Sequence, residues 1–146
     1  MISKIYTYRK NPVAANELIL YRFLAAMITI RKFKKLSLPK LQVYLWGLKN
    51  DENKQTLIAW KKQQKITNAP WMIDDDVQQI ITQSICNRYV KAEQNKSGSV
   101  SYTLDFAATT LLQEIKNSDI ERYIMQDLDE IGNLTDKMLF NITFDF

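Results

Sequence analysis

The chain has 146 residues, 20 Lys plus Arg against 16 Asp plus Glu for a net charge of +4, one Cys and no His, and 46% of it is hydrophobic. This length suits a single domain over 1–146 that needs no metal or disulfide staple, and three Gly and three Pro leave little for linkers. Without His there is no Ser-His or Cys-His nucleophile and no His metal ligand, and Cys86 alone builds neither a disulfide framework nor a thiolate zinc site.

In chain order, Ile2, Ile5, Tyr6 and Tyr8 suggest a short extended start. Asn11-Pro12 then supplies an N-cap and a first-turn proline for an apolar-rich helix to about Ile30. Leu18, Tyr21, Leu24, Ala25 and Ile28 recur at helical spacing, with Leu20 and Phe23 widening the stripe, so this helix is the expected core spine. After Arg31-Lys32-Phe33-Lys34-Lys35, with Phe33 anchored in the core, Ser37 and Pro39 start a second helix over Leu38 to Leu48. Leu38, Leu41, Leu45 and Leu48 line one of its faces. Asn50-Asp51 breaks the pattern before a third helix, Glu52 to Gln64, whose apolar contacts are Leu57, Ile58 and Trp60. Ala69-Pro70-Trp71 is a turn. A fourth helix, Ile73 to Asn87, opens with Asp74, Asp75 and Asp76 at the positive end of its dipole. Val77, Ile80, Ile81 and Ile85 supply its buried face, where Cys86 packs as a small hydrophobe.

Arg88 to Glu93 reads as a strand, Asn95-Lys96-Ser97-Gly98-Ser99 as a hairpin tip and Val100 to Leu104 as the returning strand. Two more helices follow, Phe106 to Ile115 capped near Asp105 and Asp119 to Ile131 capped by Ser118 and stopped at Gly132-Asn133. Thr135 caps a last short helix, and Ile142, Phe144 and Phe146 alternate like a strand able to pair with a partner's sheet edge. The expected fold class is mainly α with a small β-hairpin: a winged helix-turn-helix-like domain, its wing at about 88–104 and a C-terminal helical extension at about 118–146.

Residues 1–65 carry 14 basic and 3 acidic side chains and residues 66–146 carry 6 and 13, so the halves stand at +11 and −7. Such a dipole can steer a polyanion to one side and a basic protein surface to the other, dock the chain's own halves together, or drive head-to-tail self-association. Arg31, Lys32, Lys34, Lys35 and Lys40, with Lys96 at the wing tip, are the candidate nucleic-acid contacts, although lysine-rich turns also serve as plain solvated surface. The helix before the wing would be the recognition helix of a DNA reader, yet three carboxylates at its start repel phosphates. Its Gln78, Gln79, Gln83 and Asn87 suit adenine edges or simply solvent. A protein-binding winged helix is therefore the better expectation.

The same carboxylates and a second group, Asp127, Asp129 and Glu130, invite a Mg²⁺ reading. Consecutive Asp residues on a helix diverge, however, and no phosphate loop or spaced acid motif accompanies them. No catalytic residue, metal or cofactor is assigned, and the chain is expected not to be an enzyme. Trp46, Trp60 and Trp71 with Tyr44 concentrate aromatics in the middle third. They form core, or else Trp46 and Trp60 join Phe144 and Phe146 as partner anchors. Met1 to Arg9 lacks the apolar core of a signal peptide and no 18-residue run is free of charge, so a cytoplasmic protein without a membrane partner is expected.

Leu38-Pro39-Lys40-Leu41-Gln42, Leu45-Trp46-Gly47-Leu48, Leu57-Ile58-Ala59-Trp60, Ile73 to Asp76 leading into the wing, Tyr102-Thr103-Leu104, and Ile131-Gly132 before Leu134-Thr135-Asp136-Lys137 follow one another in a familiar order. Over about residues 11 to 140 this resembles the middle components of bacterial ABC three-component systems, which include the small subunit of Lamassu-type anti-phage defence. The resemblance implies a non-catalytic winged-helix subunit beside an ABC or SMC-like ATPase and an effector, often a nuclease, in an anti-phage or anti-plasmid complex. It also implies double-stranded DNA as a contact through the complex, and a homodimer. The family's wing usually ends in Thr, a charged residue and Gly; Tyr102-Thr103-Leu104-Asp105-Phe106-Ala107 has no Gly. The alternative is a stand-alone winged-helix DNA-binding transcriptional regulator.

Overall fold

The structure, a computed structural model, describes residues 15–140 and 142–143. The Asn11-Pro12 helix start, the extended stretch over Ile2 to Tyr8, and Phe144 and Phe146 lie outside the described residues. Helix α1 (Ala15–Phe33) runs nearly one turn past the expected end. Every side chain from Leu24 to Ile30 is buried, as befits a helix surrounded by others. Strand β1 (Leu36–Ser37) leads into α2 (Leu38–Gly47), where the Ser37 hydroxyl accepts from the Lys40 N–H and Pro39 occupies the first turn. Asn50 caps α3 (Asp51–Gln63) by accepting from the Asn53 N–H at 2.8 Å. Then come β2 (Ile66–Thr67), a 3₁₀ turn over Pro70–Ile73, and α4 (Asp75–Cys86).

The wing is β3 (Val90–Gln94) and β4 (Val100–Leu104). Its tip is a five-residue turn in which the Asn95 N–H donates to Ser99 O, the Gly98 N–H donates to Asn95 O, and Gly98 takes a φ of 89°. That left-handed position suits glycine. Helices α5 (Phe106–Glu114), α6 (Asp119–Ile131) and α7 (Asp136–Phe140) and strand β5 (Ile142–Thr143) complete the chain. Asp105 and Ser118 cap α5 and α6 as expected.

The sheet order is β1-β4-β3, all antiparallel, with Leu36 opposite Tyr102 and Val90 opposite Leu104. The protein is thus mainly helical with a small three-stranded antiparallel sheet, in which the first strand pairs with the returning strand of the hairpin. Around α1 pack α2, α4, α5, α6 and β4. Among the described residues no helix is long and apolar enough to cross a membrane.

Three segments refine the expectations. The C-terminal strand expected from Ile142 forms at Ile142–Thr143, where it pairs parallel to β2 beside the fully buried Ile66. Ile85 and Cys86 are exposed, because Val77, Ile80, Ile81 and Ser84 complete the buried stripe and the helix ends before the chain turns at Arg88, φ 63°. Phe33 packs against the core as expected, half-buried and stacked on Tyr44 with ring centroids 4.8 Å apart.

Tyr44 ties α2 to the turn between α6 and α7: its hydroxyl donates to Gly132 O at 2.8 Å and accepts the Leu134 N–H at 3.1 Å. Gly132 has a φ of 74°, and a Cβ there would run into Lys61 Nζ, which caps α6 at Ile131 O. Burial pushes the Tyr44 phenol up to about 12, partly offset by the Leu134 bond. The unfolded chain ionises this phenol near 10. Its contribution to stability is therefore whole below about pH 10 and disappears as pH rises towards 12. Tyr44→Phe leaves a buried N–H without its acceptor, an expected cost of about 2 kcal/mol, roughly 4–8 °C in melting temperature. Thermal melts from pH 8 to 11.5 check this: the gap between wild type and variant narrows as pH rises.

Candidate functional site

The two charged halves close on each other. Arg31 meets Glu121 at 3.0 Å, Lys32 meets Asp129 at 2.7 Å and Lys40 meets Asp136 at 3.3 Å. Lys54 meets Asp127 at 2.9 Å and Glu130 at 2.8 Å. In each pair the cation comes from residues 1–65 and the carboxylate from 66–146. Burial would raise the Glu121 carboxyl, but the Asn117 N–H and the hydrogen bond and charge of Arg31 hold it below its ordinary value.

Three of the candidate nucleic-acid residues, Arg31, Lys32 and Lys40, are thus engaged by α6 and α7. Lys34 and Lys35 are exposed in the turn before β1, with Lys34 at φ 66°. Since Leu36 lies opposite Tyr102 and Ser37 opposite Ser101, Lys35 sits towards the base of the hairpin. Lys96 is at the tip, about five residues or 17 Å away along the strand. The structure does not gather the six into one patch.

The helix before the wing changes character in the same way. Asp74 spends one carboxylate oxygen on the Asp76 and Val77 N–H groups and the other on Lys49 at 2.8 Å. Asp76 meets Arg22 at 3.1 Å and Lys49 at 3.4 Å. Burial would raise the Asp76 carboxyl, but the hydrogen bonds and charges of Arg22 and Lys49 together lower it. Of the three acids Asp75 alone is exposed without an ion pair among the described residues, which leaves a net charge near −1 at the start of α4. Gln79, Thr82, Gln83 and Asn87 are exposed and neutral, and Gln78 is half-buried. Arg88, Lys91 and Lys96 follow on the wing, all exposed.

The second acidic group is equally occupied: Asp127 and Glu130 by Lys54, Asp129 by Lys32. Among the described residues no group of three His, Cys, Asp or Glu side chains converges as metal ligands do. The sequence reading missed Lys54, yet a signal exists: it lies three and four residues before Leu57 and Ile58, on the helix face that turns inward. Asp127 has the same place on α6, between Ile124 and Ile131.

Trp46 is buried and stacks on the half-buried Trp60 with centroids 5.6 Å apart, and Trp71 meets both edge-on at 5.9 and 6.2 Å. This favours core for Trp46 and Trp71 and leaves Trp60 partly open. Beside the cluster, Met72 and Ile73 are 59% and 86% exposed. A second apolar surface is an open cavity of about 540 Å³ lined by Leu38, Pro39, Val100, Leu139 and Phe140, between the wing and α7. Comparison of the chain with protein-family models, curated proteins and solved structures gave no match.

Proposed function

We propose that the chain is a non-catalytic, winged-helix-like accessory subunit that assembles in the cytoplasm with an ABC or SMC-like ATPase and an effector, a nuclease among the candidates. The setting is that of the Lamassu-type resemblance, an anti-phage or anti-plasmid complex. The observation that carries this reading is where the chemistry of the surface lies. Three of the six cations that a DNA reader would turn outward, Arg31, Lys32 and Lys40, and every carboxylate of the two acidic groups except Asp75 are used in ion pairs within the chain. Large apolar side chains, Met72, Ile73, Val100 and Phe140, stand outward instead, and exposed apolar surface is what partner docking uses. Co-purification with the products of neighbouring genes, at low and high salt and with and without duplex DNA, tests it. The expected result is a salt-resistant complex with a large ATPase, weakened by Ile73→Asp or Phe140→Asp; a chain that purifies alone counts against it.

One observation favours the regulator. Lys49 and Arg22 remove most of the repulsion expected at the start of α4. That reading requires duplex binding that falls steeply with salt and weakens on charge reversal at Arg88, Lys91 and Lys96.

A further inference from the structure

The wing has one open edge. In the order β1-β4-β3, no strand of the described residues lies beyond β3, and Lys91, Ala92, Glu93 and Gln94 are all exposed. Which backbone groups face outward follows from the bonds at the two ends of the hairpin. The Asn95 N–H donates to Ser99 O and the Asp105 N–H donates to Tyr89 O, and the register between them runs unbroken from Val90–Leu104 to Gln94–Val100. Inter-strand bonding alternates along an antiparallel ladder, so odd-numbered residues of β3 bond to β4. Val90, Ala92 and Gln94 therefore point their N–H and C=O groups away from β4; Ala92 and Gln94 are exposed there, whereas Val90, at the base of the strand, is buried.

We propose that two copies of the chain pair antiparallel through β3, about a two-fold axis at Ala92, to make one six-stranded sheet. In that register Ala92 faces its own copy and exchanges both N–H···O bonds with it, while Gln94, exposed, comes opposite the partner's Val90 at the buried base of the strand. Lys91 falls opposite Glu93 of the partner subunit, and Glu93 opposite the partner's Lys91. These are the non-hydrogen-bonded positions, where side chains approach most closely. Lys91 and Glu93 already share one face, 3.6 Å apart. Two copies would set four charges there in alternating order.

An edge lysine normally guards a strand against pairing with others. Here the strand reads Val-Lys-Ala-Glu-Gln, and the two-fold operation carries each charge onto its opposite. The guard then excludes other registers: a slip of two residues places Lys91 beside Lys91 or Glu93 beside Glu93 of the second copy. At the axis Ala92 presents no bulk. The inference is independent of whether the chain is an accessory subunit or a regulator.

Light scattering across a concentration series into the millimolar range tests the pairing, with helical content by circular dichroism as the folding control. The wild-type mass should rise from 17.1 kDa towards twice that value. Ala92→Pro removes an outward N–H and leaves the in-chain ladder intact, so it should stay monomeric. Lys91→Glu and Glu93→Lys each set like charges face to face and should be monomeric alone, yet a one-to-one mixture of the two should form a heterodimer. The double swap K91E/E93K should restore the homodimer. A wild type that stays monomeric throughout overturns the proposal. So does a dimer that survives both Ala92→Pro and Lys91→Glu, which would place the contact on another surface.

Discussion

Lys54→Met is expected to lower stability by about 3–5 kcal/mol, a large part of what a domain of this size possesses. The Lys54 side chain is 6% exposed and that of Asp127 3%, and their 2.9 Å bond joins α3 to α6. Glu130 at 2.8 Å and Asp51 at 3.3 Å also face the ammonium, from positions open to water. Removing the cation therefore leaves the Asp127 carboxylate buried without its Lys54 partner, and the cost comes from that desolvated charge more than from any lost attraction. This origin makes a second, opposite expectation. Lys54→Met combined with Asp127→Val removes both charges and should recover most of the loss, because an apolar pair of suitable volume substitutes for a buried ion pair at little or no cost. Urea denaturation of the four proteins in the cycle gives the answer through the midpoints at constant slope. A double variant no better than Lys54→Met would mean that the pair holds the α3–α6 geometry, not merely its own charges.

The same pair shows what a sequence conceals. Helices were legible because capping residues mark them: Ser37 and Ser118 each accept the N–H three residues on, and Asp105 accepts that of Phe106; Asn50 read only as a break in the pattern, and caps α3 as well. The hairpin was legible because Gly98 supplies the left-handed turn. Charge pairing was not, since Lys54 and Asp127 are 73 residues apart and nothing local distinguishes them from solvated neighbours except their place on an apolar stripe. The imbalance between the halves pointed to three outcomes, and only the packing of α6 and α7 against α1, α2 and α3 distinguishes internal docking from a free basic face. Strand β2 was illegible for a different reason: two residues carry no period, and Ile66–Thr67 becomes a strand through its distant partner Ile142–Thr143. Cys86 misled because stripe spacing extrapolates past the point where the helix leaves the core.

Trp71→Ala is expected to cost about 3–5 kcal/mol and Trp60→Ala about 1–2 kcal/mol, the difference tracking burial. Trp71 is 2% exposed and presents its edge to both Trp46 and Trp60, so its removal opens a cavity against side chains that cannot all move in to fill it. Trp60 lies flat on Trp46 at an interplanar angle of 10° with part of its ring towards water, and its truncation uncovers surface that is already half solvated. At the 2–4 °C per kcal/mol typical of a domain near this size, the melting temperature should fall by about 10 °C or more for Trp71→Ala and by only a few degrees for Trp60→Ala. The comparison also separates the two roles these aromatics can have. If Trp60 anchors a partner, Trp60→Ala should weaken co-purification under conditions where the variant remains fully folded, because the exposed part of the ring belongs to the interface. If Trp60 is core alone, any loss of partner should track loss of folded protein. Equal stability losses for the two variants would show that the ring of Trp60 is as enclosed as that of Trp71, and would remove it from the list of surfaces open to a partner.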